Sequence, residues 1–233
     1  MYLLEGNIGV GKSTFLQLLA KLCPTITLIQ EPIAQWDSNI GGQQLLDNFY
    51  TDPKRWSYTL ETLTMISRVK DHTTLNTTFK SMSIVERSVY SGHYCFALNG
   101  YNHGNFSALE WKIYSEWVDF LVHTICKPPR GFIYLRASTD ICYKRMKQRA
   151  RKGEESLSFE YMNNIGLLHE DFFIKKINIA PYLIPIPVLV IDANDDYVLN
   201  ETLMQQHAQQ IHDFLLHTEQ QTTRNNFFST TLI

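Results

Sequence analysis

Gly6-Asn7-Ile8-Gly9-Val10-Gly11-Lys12-Ser13 fits the pattern G-x-x-x-x-G-K-[ST], a loop that binds phosphate. The flanks agree with it. Met1-Tyr2-Leu3-Leu4 is a short apolar run of strand type, and Phe15, Leu16, Leu18, Leu19 and Leu22 recur afterwards at helical spacing. A strand, a glycine loop and a helix start are the context the motif requires. Glycines let successive backbone N–H groups turn inward to form an anion site. The helix that begins near Lys12 adds the positive end of its dipole. Lys12 is placed to reach the terminal phosphates of a nucleotide, and the Ser13 hydroxyl to ligate Mg²⁺. Residues Gly6 to Ser13, with Thr14 behind them, form the expected nucleotide-phosphate site.

The 233 residues suit one α/β domain with at most an appendage, and 44 % are hydrophobic, enough for a large core. The formal charge of −2, from 21 basic and 23 acidic residues, argues against a non-specific nucleic-acid binder, which needs a basic face. Cys23, Cys95, Cys126 and Cys142 form no C-x-x-C pair and have no zinc spacing, so they read as thiols of a reduced compartment. No segment has the length of a membrane span, and the phosphate loop starts too early for a cleaved leader. These features lead to the expectation of a cytoplasmic protein, with nothing to bar nuclear entry.

Along the chain, strands and helices alternate. Thr25–Gln30 reads as a second strand and ends at Glu31-Pro32, because proline cannot continue a central ladder. Glu31 therefore sits at a strand's carboxyl end, the edge where open α/β sheets bind ligands. Leu45, Leu46, Phe49 and Tyr50 have helical spacing. Asp52-Pro53 opens a helix to about Leu75, with Asp52 as its cap. Glu61 and Arg68 share a face of that helix, either as a buried ion pair or as a ligand-reading pair. Ser83-Ile84-Val85 is a strand running into Glu86-Arg87, the usual second Mg²⁺ anchor beside such a loop. A helix with Tyr90, Tyr94 and Phe96 follows, then another from Ala108 to Ile125 carrying Trp111, Tyr114 and Trp117. Phe132–Leu135 is a fourth strand. Ser138-Thr139-Asp140 caps a helix to about Ala150 that is rich in cations. Arg145 and Arg149 lie on one side of it, and the run opens into Gly153-Glu154-Glu155, as a phosphate-closing lid would. Residues 163–176 read as helix, Val188–Ile191 as a fifth strand and residues 195–217 as a last helix. The polar stretch 218–233 has no periodicity and reads as a disordered tail. The expected fold is α/β: a five-stranded parallel sheet wrapped by helices over residues 1–217, with an arginine-rich lid at about 145–157.

A phosphate loop leaves several classes open. A GTPase needs an N-K-x-D guanine motif, and none occurs. A motor ATPase usually carries a strand ending in Asp within a larger chain. A nucleoside monophosphate kinase of thymidylate type needs an arginine for the acceptor phosphate near the second strand, where Glu31 would repel it. A nucleotide-binding switch is the non-enzymatic alternative.

Four segments carry a resemblance: Glu31-Pro32-Ile33-x-x-Trp36, Tyr50-x-Asp52-Pro53-x-x-Trp56, Glu86-Arg87-Ser88-Val89-Tyr90-Ser91, and Arg149-x-Arg151 with Glu154-Glu155. In this order they resemble the deoxynucleoside kinases, the family of deoxycytidine kinase, deoxyguanosine kinase, mitochondrial thymidine kinase and the insect multisubstrate enzyme. The resemblance runs from the phosphate loop to about His169 and implies a phosphate-loop kinase fold. It also implies ATP as donor, Mg²⁺, a deoxynucleoside as acceptor and a homodimer, with no nucleic acid or membrane as partner. Glu31 resembles the general base for the nucleoside 5′-hydroxyl, with Arg87 keeping it ionised, and Glu86 the Mg²⁺-side carboxylate. Tyr50 and Glu155 resemble the pair that binds the sugar 3′-hydroxyl. Phe96 resembles the ring stacking on the base, with Trp36 and Ile8 lining the pocket. Arg145, Arg149 and Arg151 resemble the lid cations that steady the donor phosphates.

The departures from the family pattern bear on specificity. Where the family's Trp-Ser-x-x-x-Gln segment has glutamine, this chain has Glu61. An amide offers a donor and an acceptor, a carboxylate only acceptors. Guanine presents two adjacent donors, which a carboxylate could take while Arg68 donates to O6, so a preference for purine, specifically deoxyguanosine, is expected. The rival reading is that Glu61 and Arg68 neutralise one another. Gly92 stands where deoxycytidine-specific members have aspartate. Gly153 is an apparent extra lid residue and leaves the register of Glu154 and Glu155 open by one.

Overall fold

A computed structural model describes residues 1–31, 42–78, 82–151 and 153–230. Five strands form one all-parallel sheet: β1 (Tyr2–Glu5), β2 (Thr27–Ile29), β3 (Ser83–Glu86), β4 (Gly131–Arg136) and β5 (Val188–Asp192). Their spatial order is β2-β3-β1-β4-β5. β1 lies at the centre, with Leu4 opposite Glu86 on one side and Ile133 on the other. That register brings the phosphate loop after β1 beside the residues that leave β3.

Both faces of the sheet are covered, so the central strands carry apolar residues on both sides rather than at every second position. Tyr2, Leu4, Ile84, Ile133 and Leu135 point to one side. There they pack on α1 (Lys12–Leu22), on α6 (Thr139–Arg149) and on the terminal helix α8 (Glu201–Thr230). Leu3, Val85, Phe132 and Tyr134 point to the other side. They meet α3 (Pro53–Thr78), α4 (89–102), α5 (Ala108–Ile125) and the aromatic end of α7 (Phe159–His169, continuing to Lys175 as a wider π-turn). A small satellite of Leu45, Phe49 and Leu60 fastens α2 (Gly42–Thr51) to α3. Cys95, Cys126 and Cys142 are buried free thiols, and Cys23 is half-buried.

Local signals set most boundaries. Asp52 accepts from the Arg55 N–H at 3.2 Å at the start of α3. Ser107 and Glu110 form a reciprocal capping box at the start of α5. Ser138 caps α6 and Ser158 caps α7.

Two expectations change. The last helix starts at Glu201 rather than 195, and it runs to Thr230, past the helix end expected at 217. Tertiary contact overrides polar composition there. Ile211, Leu215 and Thr218 continue one buried face of α8, and Thr218 shares a 2.6 Å hydrogen bond with the Tyr2 hydroxyl. Glu219 adds an ion pair with Arg130. The helix expected from 163 begins at Phe159, four residues earlier.

Candidate active site

The carboxyl ends of β1, β2 and β3 converge on one cleft. Glu31 leaves β2 and turns into it, with its side chain 8 % exposed. Arg68 Nη2 donates to Glu31 Oε1 at 2.7 Å, and Arg87 Nε pairs with Oε2 at 3.2 Å. Burial works against the ionised carboxylate, but Arg68, Arg87 and Lys12 together outweigh it and hold Glu31 below the usual carboxylate range. Arg87 reaches this position by an unusual backbone. Its φ is +63°, the left-handed region that costs a residue with a side chain on the order of 1 kcal/mol. Its N–H donates to Leu4 O at 2.9 Å, which fixes the bend against the central strand. The guanidinium then lies 4.5 Å over the Phe96 ring.

The phosphate loop forms the floor. Gly6, Gly9 and Gly11 all have positive φ. Ile8, Gly9, Lys12 and Ser13 line the cleft. Asn7 instead braces the loop, donating to Met162 O at 2.9 Å and accepting from the Ile8 N–H at 2.8 Å. The Val10 side chain is in the core, and Thr14 is exposed on the first turn of α1, away from the cleft. Lys12 Nζ donates to Gly6 O and Asn7 O at 2.9 Å each. Burial, with a smaller repulsion from Arg87, lowers this ammonium to about 7. Ser13 Oγ donates to Glu86 Oε1 at 2.9 Å and Oε2 at 3.2 Å. Behind them Glu5 is fully buried and accepts from Ser88 Oγ at 2.5 Å, and burial raises its carboxyl. Sequence reasoning missed Glu5, which looks like an ordinary strand end.

The opposite wall comes from α2, α3, α4 and α7. Glu61 and Arg68 face the cleft as expected, but they are not each other's ion-pair partner: the ion pairs of Arg68 and Arg87 both end on Glu31. Among the described residues the Glu61 carboxyl has only the Thr64 hydroxyl, at 3.5 Å. Burial raises its carboxyl to about 7, against the pull of Arg68 and Arg87. Arg68 fits because residue 92 is glycine, where an added Cβ would lie 2.5 Å from Nη1. Gly92 opens the π-helical stretch Gly92–Ala97 that carries Phe96 into the cleft. Leu46, Phe49, Leu60, Leu157 and Tyr161 complete the lining. Sequence reasoning missed Tyr161, which the cap signal of Ser158 could have placed on helix. Trp36 lies outside the described residues.

The lid closes one side. Arg149 Nη2 donates to both oxygens of Glu154, at 2.6 and 2.8 Å, and Arg151 lies 3.6 Å from the same carboxylate. Glu154 is buried in the cleft, whereas Glu155 is exposed and outside it. This corrects the lid register: Gly153, at φ +88°, bends the chain so that the first glutamate points inward. Tyr50 also lines the cleft, and burial plus the charge of Glu154 pushes its phenol up to about 12. Arg145 stands apart from the phosphate cleft. It donates to Val10 O, Ala193 O, Asn194 O and Asp195 O, tying the loop to the end of β5.

A parallel sheet with a phosphate loop on its central strand, a carboxylate opposite the loop and an arginine lid define a small-molecule kinase of the phosphate-loop class. Comparison with known proteins narrows this class. The sequence profile of the deoxynucleoside kinases matches residues 3–216. Chicken deoxycytidine kinase 2 is 34 % identical, covering 91 % of this chain and 89 % of its own. Mitochondrial deoxyguanosine kinase of Xenopus laevis is 34 % identical (84 % and 82 % covered), and human mitochondrial thymidine kinase 2 is 32 % identical (82 % and 69 %). The chain belongs to the deoxynucleoside kinase family, phosphotransferases that act on deoxynucleosides with ATP as donor.

Proposed function

We propose that this kinase phosphorylates the 5′-hydroxyl of a purine deoxynucleoside, with deoxyguanosine preferred, in nucleotide salvage. The carrying observation is the position of Glu31: its carboxylate shares one cleft with Lys12 and Ser13 and is clamped by Arg68 and Arg87. A carboxylate held ionised by two arginines is a weak base. That suffices for phosphoryl transfer, whose loose transition state asks mainly for positioning and charge neutralisation. Glu31 accepts the 5′-hydroxyl hydrogen and aims the oxygen at the donor phosphate. Lys12 and the loop N–H groups hold that phosphate, and Arg149 and Arg151 cover it. Tyr50 and Glu154 face the sugar, and Phe96 supports the base.

The Ser13 hydroxyl and the Glu86 carboxylate, two hard oxygen groups in contact at the loop, suit Mg²⁺. When bound, the ion offsets charge on the donor phosphates. The exposed ridge Leu109, Ile113, Trp117 and Phe120 on α5 supports a homodimer. The free thiols support a reducing, cytoplasmic setting. Incubation with ATP, Mg²⁺ and each of the four deoxynucleosides or their monophosphates tests the reading. Consumption of the nucleosides, deoxyguanosine fastest, is expected. Consumption of monophosphates alone would overturn it.

A further inference from the structure

We propose that Glu61 selects the base through its protonation state: as an acid it accepts adenine-type edges, and as a carboxylate it singles out guanine. The proposal rests on the cleft being the deoxynucleoside site.

The geometry gives Glu61 this freedom. It projects from α3 into the cleft and is 9 % exposed. Among the described residues no arginine forms an ion pair with it; Arg68 and Arg87 pair with Glu31 instead. The Thr64 hydroxyl at 3.5 Å is its weak companion. A neutral carboxyl presents one O–H donor and one C=O acceptor, the same pattern as an amide. Adenine and cytosine show an amino donor beside a ring acceptor, and the acid matches both atoms. Ionisation removes the donor. The carboxylate then meets a ring nitrogen lone pair with no hydrogen between them, which is costly in a buried site. Guanine instead offers N1–H and the 2-amino group side by side, and a carboxylate accepts both.

The change falls in an accessible range, since burial raises Glu61 to about 7. The groups that face it from neighbouring elements leave this step distinct. On α3, Arg68 remains cationic. Glu31 beyond β2 is held ionised and Arg87 beyond β3 is paired with it. Burial raises the phenols of Tyr50 on α2, Tyr114 on α5 and Tyr161 on α7, so they remain neutral. Across the cleft Glu154 is paired with Arg149 and Arg151. Lys12 also lies at about 7, but it serves the donor phosphates and acts equally on every acceptor.

The test is therefore a ratio. The kcat/KM for deoxyguanosine is divided by that for deoxyadenosine, a purine of the same size, between about pH 6 and about pH 8, spanning the Glu61 titration. Effects common to both substrates cancel. The ratio is expected to rise about tenfold or more with pH, the effect of one mismatched buried hydrogen bond. In Glu61→Gln the ratio is expected to be flat. Infrared difference spectroscopy of the carboxyl band, compared with Glu61→Gln, reads the titration without turnover. If neither purine is phosphorylated at any pH, the proposed purine kinase activity fails. If both are phosphorylated but the ratio is flat, or the slope survives in Glu61→Gln, the protonation selector fails and the kinase reading stands.

Discussion

Three side chains have their ionisation shifted from what water gives, Glu31 further toward the charged form and Lys12 and Glu61 toward the neutral one, and each makes a measurable prediction. Glu31 is kept charged by two arginines and Lys12, so its loss removes an oriented proton acceptor rather than a binding contact. Glu31→Gln is expected to lower kcat by about a hundred- to ten-thousand-fold while leaving the KM for ATP near its original value, measured by steady-state kinetics. Burial lowers Lys12 to about 7. A bound triphosphate favours the charged form, so ATP binding near neutral pH is expected to take up a proton. Calorimetry in buffers of different ionisation enthalpy reads that uptake directly. Glu61 is raised from 4.5 to about 7. The folded protein thus holds a proton that the unfolded chain releases between those values, so stability falls as pH rises through that window. Glu61→Gln removes this dependence. Denaturant melts are expected to show the variant gaining on the parent, from about pH 5 to about pH 8, by on the order of 3 kcal/mol.

At the level of elements, the lid and the widened α4 decide what reaches the cleft. The left-handed bend at Gly153 sends Glu154 inward, to be clamped by Arg149 and Arg151. Removing that carboxylate's charge leaves two arginines without their partner. Glu154→Gln is expected to lower kcat/KM for the nucleoside by about tenfold or more, while Glu155→Gln stays within about twofold of the parent. Kinetics on the pair check the register. In α4 the π-turn begins at Gly92, the residue that leaves room for Arg68, and ends just past Phe96. One local irregularity thus serves both the clamp on Glu31 and the apolar lining of the cleft.

For the whole molecule, the sheet register and the two helical layers fix the site, and the outer face of α5 is the proposed subunit contact. The two tryptophans expected at a subunit contact have separate roles. Trp111 is stacked on His93 and Tyr101 within the fold, whereas Trp117 is half exposed beside Phe120. Replacing Trp117 and Phe120 together by glutamate is expected to halve the mass measured by light scattering, with the monomer still folded. Trp111→Ala is expected to cost about 3 kcal/mol or more in stability instead.

Much of this protein was legible in its sequence. The loop Gly6–Ser13, the strand ends at Glu31 and Glu86, the Asp52 and Ser138 signals and the arginine run before Gly153 all act through neighbours in the chain. Local chemistry is enough to place them. What depended on the folded backbone or on distant contacts was not legible: which lid glutamate faces inward, that Arg68 is paired with Glu31 rather than Glu61, that Arg145 serves the loop end of β5, and that α8 continues past Thr218. The sequence by itself determined the class of fold and the set of candidate residues for the cleft, because motif and periodicity are short-range. Only the tertiary structure decided which charges meet, because ion pairing and burial join residues tens to hundreds of positions apart.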